Sequence, residues 1–167
     1  MSLACAIDHS PRFHPIADIT PIVFVVDEDV FIRKSLERVI RSEGWQPETF
    51  ESAQEFLTHP RSMVPNCLIL ALSPPGPDGL ELQKQIARDR PEMPIIFISG
   101  FGDIPTTVQA MKAGAVDFLL KPFSNDVLMN AIHQSLHNSR LVLDREMKLY
   151  DLRNRYARSQ DDLAGSR

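Results

Sequence analysis

The chain has 167 residues, 43% hydrophobic and 24% charged, with a formal net charge of −4. That length holds one packed domain plus an extension, and the acidic balance offers no basic field to nucleic acid, so direct nucleic-acid binding is not expected. No stretch approaches the roughly 20 apolar residues of a membrane-spanning helix, and the N-terminal Met1-Ser2-Leu3-Ala4-Cys5 lacks the charged and apolar regions of a secretion signal, which leaves a cytoplasmic protein without membrane contact as the default expectation.

Residues 1–20 mix Pro11, Pro15, His9 and His14 without periodicity and read as a flexible leader. Ile22-Val23-Phe24-Val25-Val26 is a continuous apolar run, the pattern of a strand covered on both faces. Asp27 to Asp29 precede a helix to about Glu43, with Ile32, Leu36, Val39 and Ile40 at helical spacing. Gly44 closes it, where a left-handed residue is favoured. Gln46 to Phe50 reads as a second strand. Ser52 caps a short helix containing Phe56 and Leu57.

Cys67 to Ala71 is the third strand. With Cys67 in a core strand and Cys5 in a tail, neither a disulfide nor a metal spacing is expected. Pro74-Pro75-Gly76-Pro77 is too proline-rich for regular structure. A helix over Gly79 to Asp89 follows, with Leu80, Leu82 and Ile86 inward. Ile95 to Ile98 is the fourth strand, Ser99 to Asp103 a loop, and Thr106 to Ala113 a helix closed by Gly114. Phe118 to Leu120 is the fifth strand, and a last helix starts near Ser124.

From about Leu136 to Tyr156 there is no proline or glycine. Val142, Leu149 and Tyr156 recur every seven residues with Leu152 between them. Two readings stand: a short coiled coil, or a solvated helix packed on its own domain. After Ser159 the chain turns polar, and fraying is expected. His133 and His137 are four apart on this helix, and a solvated face explains them better than a metal site does.

Five strands alternating with helices give an α/β fold, a doubly wound parallel sheet with helices on both faces and an extended C-terminal helix. In such sheets the site lies beyond the carboxyl ends of the strands. Asp27, Glu28, Ala71, Ser99 and Lys121 all fall there. Singly, each has a plain explanation: an acidic helix start, a loop serine, a strand end at Lys121-Pro122. Their joint placement indicates a site.

The chain resembles the receiver domains of two-component response regulators, most closely the FixJ/NodW type. The resemblance rests on Val23-Phe24-Val25-Val26-Asp27-Glu28-Asp29, on Arg33-Lys34-Ser35-Leu36, on Pro94-Ile95-Ile96-Phe97-Ile98-Ser99-Gly100, on Ala110 through Phe118, and on Leu120-Lys121-Pro122-Phe123. It implies the CheY/flavodoxin-like strand order 2-1-3-4-5. It also implies an aspartate at the end of the third strand that takes a phosphoryl group from a sensor histidine kinase. Mg²⁺ would be held by Asp27, Glu28 and the carbonyl of Ser73. Lys121 would pair with the phosphoryl group, and Ser99 and Phe118 would switch with it. The bond before Pro122 would be cis. No organic cofactor is implied, and the domain is a signalling module, not an enzyme.

The aspartate is missing. Leu68-Ile69-Leu70-Ala71 and Gly79-Leu80-Glu81-Leu82 align with the family pattern without a gap and put Ala71 at the acceptor position. Alanine can neither form an acyl phosphate nor ligate a metal. The expectation is a silent receiver with a weakened Mg²⁺ site, in which Lys121 pairs with Asp27 and the domain acts through protein–protein contact. The altered proline-rich loop favours natural divergence over an engineered Asp-to-Ala change. Two alternatives remain: another acceptor, of which Asp78 is the nearest downstream carboxylate, or a flavodoxin-like nucleotide- or flavin-binding domain. Against the latter, no glycine-rich loop follows the first strand.

The expected organisation is a leader over 1–20, the receiver over 21–138, and a helical linker over 139–167. By the resemblance, the family's DNA-binding domain is expected to lie outside these 167 residues. Homodimerisation is expected through the last two helices and strand five, or through the C-terminal helix.

Overall fold

The computed structural model describes residues 19–61, 63–72, 78–100 and 103–165, with 78 and 159–165 as backbone. The expected leader up to residue 18 and the loop from Ser73 to Pro77 lie outside the described residues. Five strands, β1 (Ile22–Val26), β2 (Gln46–Phe50), β3 (Asn66–Ala71), β4 (Ile95–Ser99) and β5 (Asp117–Leu120), form one parallel sheet in the order β2-β1-β3-β4-β5. The connecting helices are α1 (Val30–Ser42), α2 (Ala53–Leu57), α3 (Asp78–Asp89), α4 (Ile104–Lys112) and α5 (Asn125–Gly165). This is the doubly wound α/β fold expected from the alternation of apolar runs.

Side chains along each strand point alternately to the two faces, and the core divides accordingly. Val23, Val25, Cys67, Ile69, Ile96 and Ile98 meet Leu36 and Ile40 of α1 and Leu128, Ile132 and Leu136 of α5. Phe24, Val26, Leu68, Leu70, Ile95 and Phe97 face Phe56 of α2, Leu82 and Ile86 of α3 and Ala110 of α4. Both faces are covered, which is why the central strands β1, β3 and β4 read as apolar runs, while edge strand β2 is largely polar. Burial pushes the Cys67 thiol above its ordinary pKa, so it stays protonated.

Local signals fix most boundaries. Asp29 caps α1 through its side chain on the Phe31 amide, and Ser52 caps α2 on the Glu55 amide. Gly44 and Gly114 both have positive φ and close the turns after α1 and α4. α4 begins before the expected Thr106, because Asp103 is the cap and Pro105 falls in the first turn, where its missing N–H is not needed.

α5 is longer than the other helices and stays against the sheet for several turns. Its packing on the sheet continues past residue 138: Ser139 and Leu143 are buried, and the Asn66 N–H donates to Ser139 Oγ at 3.0 Å. Its backbone is helical to Gly165, beyond Ser159, since no proline or earlier glycine interrupts it. The helix therefore packs on its own domain as far as Leu143, while Leu149, Leu152 and Tyr156 are exposed. His133 is exposed as expected, with its ring edge-on to Trp45 at 4.8 Å. No helix among the described residues is long and apolar enough to cross a membrane.

Candidate functional site

The carboxyl ends of β1, β3, β4 and β5 converge on one side of the sheet. Asp27 follows the last residue of β1 and is 5% exposed. Its amide donates to the Phe50 carbonyl at 3.1 Å, so the end of β2 fixes its backbone. Its Oδ1 accepts from the Asp29 amide at 2.9 Å, and its Oδ2 lies 3.2 Å from Lys121 Nζ. Glu28 is exposed.

Lys121 reaches Asp27 because its backbone is anchored. Its amide donates to the Ser99 carbonyl at 2.8 Å, which joins the ends of β4 and β5. The Lys121–Pro122 bond is cis, as the resemblance implied. Ser99 itself is 2% exposed. Phe118, half-buried, stacks on Phe97 with ring centroids 5.9 Å apart.

Ala71 is the last residue of β3, in register with Ile98. It is half-buried and packs against the α1–α5 face of the core. Together with Asp27, Glu28, Leu70 and Gly79 it lines a cleft of about 390 Å³. Five of the seven residues expected at the site are thus placed together or bonded in sequence: Asp27, Glu28, Ala71, Ser99 and Lys121. Phe118 lies on β5 and turns toward the opposite core face. Ser73 lies outside the described residues.

Two residues escaped the sequence reading as members of this neighbourhood. Arg33 on α1 donates from Nη1 to the carbonyls of Asp27 (2.6 Å) and Glu28 (3.1 Å), and Nη2 lies 3.7 Å from Glu51. It clamps the loop carrying the acidic pair by its carbonyls, a role that leaves no local pattern. Gly79 allows the first turn of α3 to close on the β3 end: a Cβ there would meet Leu72 Cδ1 at 2.5 Å.

Comparisons with known proteins agree with the geometry. The family model for the response regulator receiver domain matches residues 23–133. Nodulation protein W of Bradyrhizobium diazoefficiens is 41% identical over 141 residues, covering 84% of this chain and 62% of the relative. Response regulator protein TodT of Pseudomonas putida is 41% identical over 120 residues, covering 72% and 53%. The chain spans between about half and two thirds of the length of these relatives. Among solved structures, response regulator StyR superposes with a TM-score of 0.76 at 41% identity, covering 83% of this chain and 70% of that one. FixJ-N does so with a TM-score of 0.62 at 35% identity, covering 71% of this chain and 95% of that one.

Proteins matched by that model usually bind Mg²⁺ at the acceptor site, so the residues present can be tested for fit. Mg²⁺ takes oxygen ligands in near-octahedral geometry. Among the described residues no group of three His, Cys, Asp or Glu side chains could hold a metal. Asp27 is already engaged by Lys121 and the Asp29 amide, and the β3 end contributes a methyl group. These residues fit Mg²⁺ poorly.

Proposed function

Because the chain belongs to the response regulator receiver family, we propose that it is a signal-input domain that does not take a phosphoryl group at the usual place and acts by protein–protein contact. The observation that carries this reading is Ala71, a methyl group at the carboxyl end of β3 in the same cleft as Asp27 and Glu28. An acyl phosphate needs a carboxylate nucleophile, and β3 ends without one.

The remaining groups have complementary roles in this reading. Lys121, which in the family pairs with the phosphoryl group, neutralises Asp27 instead. With one carboxylate fewer, the repulsion that favours a divalent cation in such a cluster is reduced, and Mg²⁺ binds weakly through Asp27, Glu28 and the Ser73 carbonyl. Ser99 and Phe118 are held by packing and not by a phosphate. The altered residues from Ser73 to Pro77 support natural divergence as the origin of Ala71.

The partners in this reading are a sensor histidine kinase, retained as a binding partner, and a second copy of the chain. Ile104, Val108 and Met111 of α4, Leu120 of β5 and Val127 of α5 are exposed apolar side chains, and they support dimerisation through that surface. The output is transcriptional regulation, as the transcriptional regulatory proteins FixJ and TdiR with which it aligns suggest. A second reading, phosphotransfer to another acceptor such as Asp78, predicts labelling without Ala71 being changed.

Calorimetric titration with Mg²⁺ tests the metal side of the reading. Ala71→Asp should bind at least about tenfold tighter than the parent chain, since it restores a ligand. Equal affinities would overturn the assignment of Ala71 to the acceptor position.

A further inference from the structure

At the other end of the sheet, where the strands begin, one side chain joins three separate parts of the fold. Arg61 lies between α2 and β3. Its Nε donates to Glu92 Oε1 at 2.7 Å, in the connection between α3 and β4. Its Nη2 lies 3.3 and 3.4 Å from the two carboxylate oxygens of Glu146 on α5. The two carboxylates differ in environment. The Glu92 side chain is 1% exposed and that of Glu146 is 36% exposed.

Glu92 holds Arg61 in place. A buried carboxylate deprived of its cation is strongly destabilising, and Glu92 Oε2 already has no hydrogen-bond partner among the described residues. Arg90, two residues away, is committed elsewhere: Nη2 donates to the His59 carbonyl at 2.5 Å and the guanidinium lies 4.9 Å from the Phe56 ring centre. Arg61 is thus the cation bonded to Glu92 among the described residues, and its position is set before it meets Glu146.

Glu146 sits where α5 leaves the domain. One turn earlier Leu143 is 1% exposed, whereas Met147, Leu149 and Tyr150 are 54%, 51% and 69% exposed. Beyond that point the helix is a stiff rod rising about 1.5 Å per residue, so a small tilt at Glu146 is amplified toward its end. We propose that Arg61 is a latch: it uses the charge that buried Glu92 requires to hold Glu146, and so fixes the direction in which the C-terminal helix departs. Whatever is attached to or docks on that helix is positioned relative to the sheet through this contact. The latch does not depend on the reading of Ala71 as a silent acceptor position.

Hydrogen exchange over residues 144–156, read together with the urea midpoint, tests the latch in the full chain. Glu146→Gln should leave the midpoint unchanged and speed exchange in that segment about threefold or more, the scale of a partly exposed ion pair. Arg61→Ala should speed exchange equally and also lower the midpoint. Adding Glu92→Gln to Arg61→Ala should recover the midpoint while exchange stays fast, which a merely structural arginine would not show. Unchanged exchange in Glu146→Gln would overturn the proposal, and that variant decides the question even if Arg61→Ala fails to fold.

Discussion

Lys121 Nζ stands 3.2 Å from Asp27 Oδ2, joining the end of β5 to the end of β1. Asp27 is nearly buried, while the lysine side chain is 29% exposed. The pair is therefore asymmetric: the carboxylate needs the cation more than the cation needs the carboxylate.

Removing the lysine should accordingly cost more than removing the charge it serves. Lys121→Met is expected to destabilise the domain by about 1–3 kcal/mol, below the range for a fully buried pair because the lysine is partly solvated. Asp27→Asn in the same chain should recover most of that loss. Urea denaturation of the two single variants and the double variant measures the coupling. A double variant no more stable than Lys121→Met alone would mean that the pair is incidental.

The packed domain ends near Leu143, and substitutions along α5 should reveal the edge. Leu143→Ala removes a side chain that is 1% exposed and should cost about 2–5 kcal/mol. Leu152→Ala removes one that is 59% exposed and should stay within about 0.5 kcal/mol in dilute monomer. A large loss at Leu152 that grows with protein concentration would identify that stripe as the dimer contact.

Acid should loosen α4 from its start. Asp103 accepts from the Thr106 amide at 2.8 Å and from its hydroxyl at 2.8 Å. The amide bond first, then the hydroxyl bond, holds its pKa below the ordinary carboxylate value. A lowered folded-state pKa means that the cap's contribution is complete above the unfolded-state pKa and is lost as pH falls through the folded one. The Thr106 amide resonance should therefore titrate at a pH below the ordinary aspartate value, and Asp103→Ala should abolish that titration while speeding exchange over Ile104–Lys112.

Much of this was legible because the governing signals are local. Apolar runs marked β1, β3, β4 and β5, and Ser52, Gly44 and Gly114 marked helix ends through capping and positive φ. The site was legible in part, since Asp27, Ser99 and Lys121 lie at strand ends, where a parallel sheet exposes its ligand crevice. The Lys121–Asp27 pair was expected from reading Ala71 at the acceptor position, and the two groups do meet. Contacts set by tertiary geometry were not legible. Arg33 binds backbone carbonyls, which carry no residue identity. Arg61 meets partners 31 and 85 residues away in the chain. The start of α4 was misplaced because Pro105 reads as a breaker unless Asp103 is recognised as the cap.

In the proposed reading, Ala71 is what keeps this receiver from taking a phosphoryl group. Intact mass after incubation with acetyl phosphate and Mg²⁺, for the parent chain and for Ala71→Asp, tests it most directly. Ala71→Asp should gain one phosphoryl group and the parent chain none. A phosphoryl group on the parent chain would contradict it and place the acceptor elsewhere.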